Sequence, residues 1–219
     1  MELTTSSRGQ DSRRELLNVA IDCFARYGYQ ATSIDRIARE AGVTKGALYY
    51  HFKDKADLLS EAVKSRVGQW EHRVVEEVRP VSSAAQQLRR VADVCLEHAT
   101  KSNHRRMIIT LMVEALDTNA PLSAEFRAMM QRFREFLRLA VESGQRSGEF
   151  RADVDSHTAA EVYAGAVMGA EIQYYQDPTA ISLNATLDAF LAQYLGWLSA
   201  GLQQSNHRRS QPTARARRS

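Results

Sequence analysis

The chain has only four prolines and two cysteines in 219 residues. It also has almost no stretch in which β-branched and aromatic residues alternate with polar ones. Three of the prolines, Pro80, Pro121 and Pro178, fall between long stretches of helical periodicity. The scarcity of strand signals argues against a sheet protein and predicts an all-α fold. Cys23 and Cys95 lie far apart inside helical patterns, where a cysteine behaves as a small buried hydrophobe. No apolar run approaches the ~18 to 20 residues that span a bilayer. Met1 to Arg8 lacks the apolar segment of a secretory signal. No membrane contact and a cytoplasmic location are therefore expected. Catalytic signatures are missing too: there is no G-x-S-x-G elbow, phosphate-binding glycine loop or H-E-x-x-H pair. His98, His104 and His157 stand at no ligand spacing with cysteine or carboxylate. No metal, no cofactor and no enzymatic activity are expected.

The net charge of +3 hides a segregation. Residues 8–55 carry nine Lys and Arg against six Asp and Glu, while residues 56–202 carry fifteen against nineteen. From Gln203 to Ser219 there are five Arg and no acid. Basic ends around a mildly acidic middle suit a chain whose ends approach a polyanion.

Helical punctuation is dense. Ser12 and Glu15 form a capping box ahead of a first helix whose Leu16, Leu17, Ala20, Cys23, Phe24 and Tyr27 share one face. Gly28 is its stop. Thr32 and Asp35 repeat the device for a second helix, with Ile34, Ile37, Ala38 and Ala41 on one stripe and Gly42 at the end. A short third helix opens at Thr44 and turns Leu48 and Phe52 inward, with Val43 filling the turn. Asp54 caps a fourth helix that runs through Leu58 and Trp70 to Val78, roughly 36 Å at 1.5 Å per residue. Further helices are expected near 83–101, 105–117, 122–147, 156–176 and 181–202, about nine in all. The helix from 156 is rich in small residues, and the last carries a broad leucine face.

Two short helical patterns that meet at a glycine turn, the second nearly free of carboxylates and dense in donors, match a helix-turn-helix with its recognition helix. With Leu48 and Phe52 inward, helical geometry turns Lys45, Gly46, Tyr49 and Tyr50 outward, with His51 beside them. Lys45 is the candidate base-edge donor, guanine O6 or N7 being its usual targets. Tyr49 can pack on a thymine methyl or bond a phosphate, and Thr44 can cap its helix and also reach a phosphate. Tyr50, His51 and Lys55 are placed for the DNA backbone. The Thr32 and Ser33 hydroxyls sit at the start of the second helix, where free N–H groups favour a phosphate. Gly46 costs its helix about 1 kcal/mol against alanine; close approach to a groove explains that cost, and a packing contact between helices is the alternative. Taken alone, Lys45 reads as a solvated residue, and the tyrosines could cover the small domain's core. The conjunction of turn glycine, spacing and outward donors favours DNA.

The run from Thr32 to Ala38, the run from Ala41 to Phe52, and then Lys55, Leu58 and Leu59 resemble the DNA-binding domain of the TetR family of bacterial transcriptional regulators. The resemblance covers about residues 12–60, and Gly148 to Asp155 also looks like the turn before that family's eighth helix. It implies three N-terminal helices for DNA, a larger helical ligand-binding domain and dimerisation through the last two helices, about 156–176 and 181–202. It further implies that Lys45 and Tyr49 face bases and that Thr32, Tyr50, His51 and Lys55 face phosphates. On this basis residues 1–10 form a flexible arm, 11–54 the DNA-binding domain, 55–202 the effector-binding and dimerisation domain, and 203–219 a basic disordered tail.

Methionines and aromatics suit an adaptable apolar pocket. Met112, Leu116, Phe126 and Met130, with Phe133, Tyr163 and Val167, are its expected lining, ordinary core being the alternative. Glu114 and Glu171 each interrupt an apolar helix and are candidates for pairing with a cationic or hydroxylated ligand. The expectation is thus a repressor that binds a palindromic double-stranded operator as a homodimer. A small, mostly apolar effector in the C-terminal bundle would release it, with the fourth helix as the lever. The rival expectations are a DNA-binding regulator without a ligand, and an all-α scaffold or enzyme that uses the N-terminal helices for protein contacts.

Overall fold

Nine α-helices and no strand make up the described residues of the computed structural model, which are 3–118 and 120–200. They are α1 (Leu3–Tyr27), α2 (Ile34–Glu40), α3 (Lys45–His51), α4 (Lys55–Val78), α5 (Ala84–Lys101), α6 (Asn103–Thr118), α7 (Ala120–Ser147), α8 (Ser156–Gln176) and α9 (Leu183–Ser199). The all-α expectation holds. The tail expected over 203–219 lies outside the described residues.

The N-terminus departs from expectation. The first helix begins at Leu3, so Ser12 lies inside α1 instead of capping it, and the residues expected to form an arm are helical from Leu3 onward. Nothing between Thr4 and Asp11 stops a helix: there is no proline, and one glycine costs only about 1 kcal/mol.

Two compact units divide the helices, Met1–Glu76 with Val94–Gln131 and Glu77–Asp93 with Arg132–Ser219. In the first, α1 packs on α2 and α6, and α2 packs on α3. Leu17, Ala20, Ile21 and Phe24 of α1 are buried, as are Ile37, Leu48 and Phe52. Burial of each larger side chain contributes about 1.5–3 kcal/mol. Ion pairs cross between helices: Arg13 to Glu61 at 2.6 Å, Lys64 to Glu125 at 3.4 Å and Arg73 to Glu97 at 2.6 Å. Asp22 of α1 bonds His104 of α6.

In the second unit, α8 packs on α9. The Tyr163 hydroxyl donates to Leu88 O at 2.6 Å and the Tyr194 hydroxyl to Ala159 O at 2.7 Å, so both buried phenols are satisfied. Their rings meet edge to face at 5.4 Å. Glu149, in the connection after α7, accepts from the Ser83 hydroxyl at 2.7 Å and from Ala84 and Ala85 N–H at 3.1 Å. It thereby closes the N-terminus of α5. Burial pushes its carboxyl up, but these bonds outweigh that and hold it below the usual carboxylate range. Asp155 caps α8 by accepting from Thr158 N–H at 2.7 Å.

Candidate functional site

The α2–turn–α3 geometry follows from local chemistry. Ser33, not Thr32, is the N-cap of α2, and its hydroxyl accepts from Arg36 N–H at 3.2 Å. At the other end Gly42 takes φ +67, a conformation that a Cβ disfavours. Gly42 N–H bonds Arg39 O at 3.2 Å and Val43 N–H bonds Ala38 O at 3.0 Å, a Schellman closure. Thr44 follows as the cap of α3 and accepts from Ala47 N–H at 3.2 Å.

With Leu48 and Phe52 buried, the opposite face of α3 is open. Tyr49 is 49% exposed and Tyr50 85% exposed. The His51 ring meets Tyr50 edge-on at 4.9 Å. Thr44, Lys45 and Gly46 are exposed on the same short helix, as is Ser33 at the start of α2. Lys45 Nζ lies 3.0 Å from Asp35 Oδ1, a bond that raises the Lys45 ammonium above its ordinary pKa. A Cβ on Gly46 would meet only Thr44 Oγ1, at 3.8 Å. Among the described residues no helix packs on Gly46, which removes the packing explanation for this glycine within them.

Two expected phosphate contacts are corrected. Thr32 is 1% exposed, and its hydroxyl donates inward to Gly28 O at 2.7 Å and Cys23 O at 3.3 Å. It locks the α1–α2 loop and cannot present its hydroxyl to DNA. Lys55 spends its three donors on Tyr29 O and Thr32 O, both at 2.9 Å, and on Gln30 O at 3.5 Å. Its ammonium also sits 4.3 Å from the Tyr29 ring centroid. Lys55 is therefore a clasp on that loop. Sequence reasoning missed Arg36, whose guanidinium stacks 4.3 Å from the Tyr27 ring centroid on the surface of α2. A solvent-facing arginine one turn after a cap carries no local signal of such stacking.

Of the expected effector lining, Met112, Phe126 and Met130 belong to the first unit, and Phe133, Tyr163, Val167 and Glu171 to the second. The last four are buried, the Glu171 carboxylate completely. Leu116 is corrected outright: it is 72% exposed, because the face of α6 that packs inward carries Met107, Ile108, Leu111 and Met112 instead. Glu114 is exposed and borders a groove of about 170 Å³ between α1 and α6.

A second, smaller cavity in the first unit, about 10 Å³, was not anticipated. Arg66, Val67 and Trp70 of α4, His98 of α5, Arg105 and Ile108 of α6 and Met129 of α7 border it, with His104 at its edge. The Arg105 guanidinium lies 5.5 Å from the Trp70 ring centroid. His98 Nδ1 is buried without a hydrogen-bond partner. Burial first, then the charges of Arg105, Arg73, His104 and Arg66, push the His98 imidazole down to about 4. Burial also lowers the Arg66 guanidinium, with Asp22 opposing. Elsewhere, both cysteines are buried, and burial followed by Glu40 raises Cys23 to about 11. No helix among the described residues is long and apolar enough to cross a membrane.

An N-terminal helix-turn-helix ahead of a helical bundle defines a class of transcriptional regulators. Comparison with known proteins narrows it. Residues 16–62 match the profile described as bacterial regulatory proteins, tetR family, and residues 84–187 match the tetracyclin repressor-like C-terminal domain. The fatty acid metabolism regulator protein of Bacillus subtilis (strain 168) is 26% identical over 155 residues, 70% of this chain and 78% of the relative. Among solved structures, FadR from Bacillus subtilis in complex with stearoyl-CoA has a TM-score of 0.71 at 22% identity, covering 86% of this chain and 98% of that one. A transcriptional regulator from Saccharomonospora viridis in complex with choline has a TM-score of 0.74 at 23% identity, covering 85% and 96%. The chain belongs to the TetR family of bacterial transcriptional regulators.

Proposed function

We propose that the protein is a cytoplasmic repressor that binds a palindromic operator as a homodimer and is released by a small-molecule effector. The observation that carries the DNA half is the open face of α3, where Lys45, Tyr49 and Tyr50 project while Leu48 and Phe52 are buried. Lys45 and Tyr49 face bases; Ser33, Thr44, Tyr50 and His51 face phosphates, which fix register without specifying sequence. Gly46 lets the backbone approach the groove. The two recognition helices of a dimer enter successive major grooves about 34–36 Å apart.

Dimerisation through α8 and α9 is supported by their uncovered apolar side chains: Val162 is 46% and Trp197 39% exposed. Beside them Gly165 and Gly196 are exposed with open space where a Cβ would be, which suits close helix approach. Residues 11–54 supply the DNA-reading elements, and residues 55–202 supply the effector site and the dimer contact. One neighbour is held with stearoyl-CoA and another with choline. Molecules that different support an effector and leave its chemistry to this chain's own residues.

Fluorescence anisotropy with a promoter fragment from upstream of its own gene tests the reading. Salt-dependent binding by a dimer is expected. Lys45→Ala and Tyr49→Ala should each weaken it by about 1–3 kcal/mol, Lys45→Ala mainly by relaxing sequence preference. Unchanged affinity in both folded variants would remove α3 from the interface. The small free volume beside Trp70 favours a second reading, a regulator without a small-molecule effector. A metabolite thermal-shift screen with no stabiliser would select it.

A further inference from the structure

We infer that the cavity between Arg66, His98 and Arg105 takes the anionic headgroup, carboxylate or phosphate, of an amphiphilic small molecule whose apolar part lies along Trp70. The inference rests on the effector-responsive reading above and assigns that effector its charge.

Three helices of the first unit each bring a nitrogen group to one point: α4 brings Arg66, α5 brings His98 and α6 brings Arg105. No carboxylate borders the cavity among the described residues, while two arginines and two histidines do. Arg66 is half-buried and, among the described residues, has no ion pair; its side-chain bond goes to the neutral Gln69 amide at 3.2 Å. Asp22 acts on this guanidinium through its charge alone, without a hydrogen bond, and an anion arriving in the cavity offsets the cost of withdrawing it from water. His98 adds a buried nitrogen with nothing to bond. In the tautomer with hydrogen on Nδ1 it is a donor for an anion and offers a cation nothing. The opposite outcome, a quaternary ammonium ligand, needs aromatic faces and acids; here the Trp70 ring already has a guanidinium beside it. The remaining border, Val67, Trp70, Ile108 and Met129, is apolar. The shape is that of an amphiphile site with one charged end.

The free volume of about 10 Å³ holds roughly one water. An effector of any size must therefore part α4 from α5 and α6. Only three residues separate the end of α3 from the start of α4 at Lys55, whose ammonium clasps the α1–α2 loop. His104, at the cavity's edge, bonds Asp22 of α1. Filling this cavity thus strains two links to the DNA-reading helices.

Four probes of matched tail, used below their micelle concentrations, test the charge: decanoate, decyl phosphate, decanol and decyltrimethylammonium. Thermal shift and calorimetric titration are run on the full-length protein, and operator binding is measured on the same samples. The expected result is stabilisation by decanoate or decyl phosphate, the better of the two naming the headgroup, with decanol and the ammonium at least tenfold weaker. Arg66→Gln should weaken the anion by roughly tenfold or more, the loss of one charge-assisted bond, and Arg66→Lys should restore part of it. Arg79→Gln, outside the cavity, should leave binding unchanged. A shift of the His98 imidazole resonances on adding the anion gives a readout independent of the variants. Equal or tighter binding of decanol or the ammonium would overturn the inference while leaving an effector-responsive regulator. Binding of none of the four, with operator binding intact, would overturn the inference, and the metabolite screen would then decide the effector reading. Loss of operator binding by the unliganded protein would overturn the DNA reading alone.

Discussion

Lys45 Nζ is held between both oxygens of Asp35, 3.0 Å from Oδ1 and 3.1 Å from Oδ2, so the first turn of α2 grips the first residue of α3. Both partners are exposed, and such pairs contribute little to stability, about 0–1 kcal/mol. On the proposed reading of α3, the pair's effect falls on DNA recognition instead: Asp35 would orient the ammonium and keep it from settling on the nearest phosphate. Asp35→Asn should leave the melting temperature nearly unchanged, raise affinity for scrambled DNA several-fold and narrow the preference for operator. The salt slope should steepen by about 0.9, one added phosphate contact. Anisotropy titrations at several salt concentrations decide it; an unchanged slope and preference would mean that Asp35 does not restrain Lys45.

Gly46 offers a separation of stability from function. Its added Cβ meets nothing closer than Thr44 Oγ1 at 3.8 Å. Gly46→Ala should therefore stabilise the free protein, by up to about 1 kcal/mol. Operator affinity should fall if, as proposed, the new methyl stands on the face turned toward the groove. A variant that is both more stable and equally active would remove the groove from the explanation.

For Lys55 the expected signature is structural. Lys55→Met strips the loop carbonyls of Tyr29, Gln30 and Thr32 of their donor. The cost should be about 1–3 kcal/mol of stability. The salt slope of DNA binding should stay the same, because the ammonium is already spent inside the protein. A slope lowered by about 1 with unchanged stability would restore Lys55 as a phosphate contact.

His98 makes stability pH-dependent. Its folded pKa is about 4 against an ordinary 6.5, so above pH 6.5 both states are neutral there and the group contributes nothing to the slope. Below 6.5 the unfolded chain binds a proton that the folded chain refuses, and stability falls as pH drops toward about 4. The loss is bounded at about 3 kcal/mol by the linkage of 1.36 kcal/mol per pKa unit, less any relief from partial exposure. Melting curves from pH 7.5 to 4.5 should show that decline in the wild type and a flatter profile in His98→Gln. Parallel profiles would assign the decline to other groups.

The helix-turn-helix was legible in the sequence because its signals are local. Gly42 and Thr44 fix the turn through bonds to residues within a few positions, and Leu48 and Phe52 fix which face is open. Thr32 and Lys55 were misread because their partners lie on a loop whose path no periodicity specifies: Thr32 bonds Gly28 O four residues back and Cys23 O nine back, and Lys55 bonds Tyr29 O 26 back. The start of α1 was misplaced because a good capping box can also sit inside a longer helix. Around the effector site, methionine and aromatic stripes could not separate core from cavity; Tyr163 is core, bonded to Leu88 O. Arg66 and Arg105 escaped notice since arginine on a helix reads as surface. The available hint was Arg66 beside Val67 and Trp70, a cation next to an apolar stripe.

The packing of α1 on α6 sets the size of the piece that can be exchanged between such regulators. Phe24 and Ala25 share a groove with Met107 and Leu111, and Asp22 is tied to His104. A chimera spliced after α3 would leave that flank of α1 facing a foreign surface, with its apolar side chains wetted and its carboxylate unmatched. The transplantable cassette for this chain is therefore discontinuous: it must carry α6 along with the reading head.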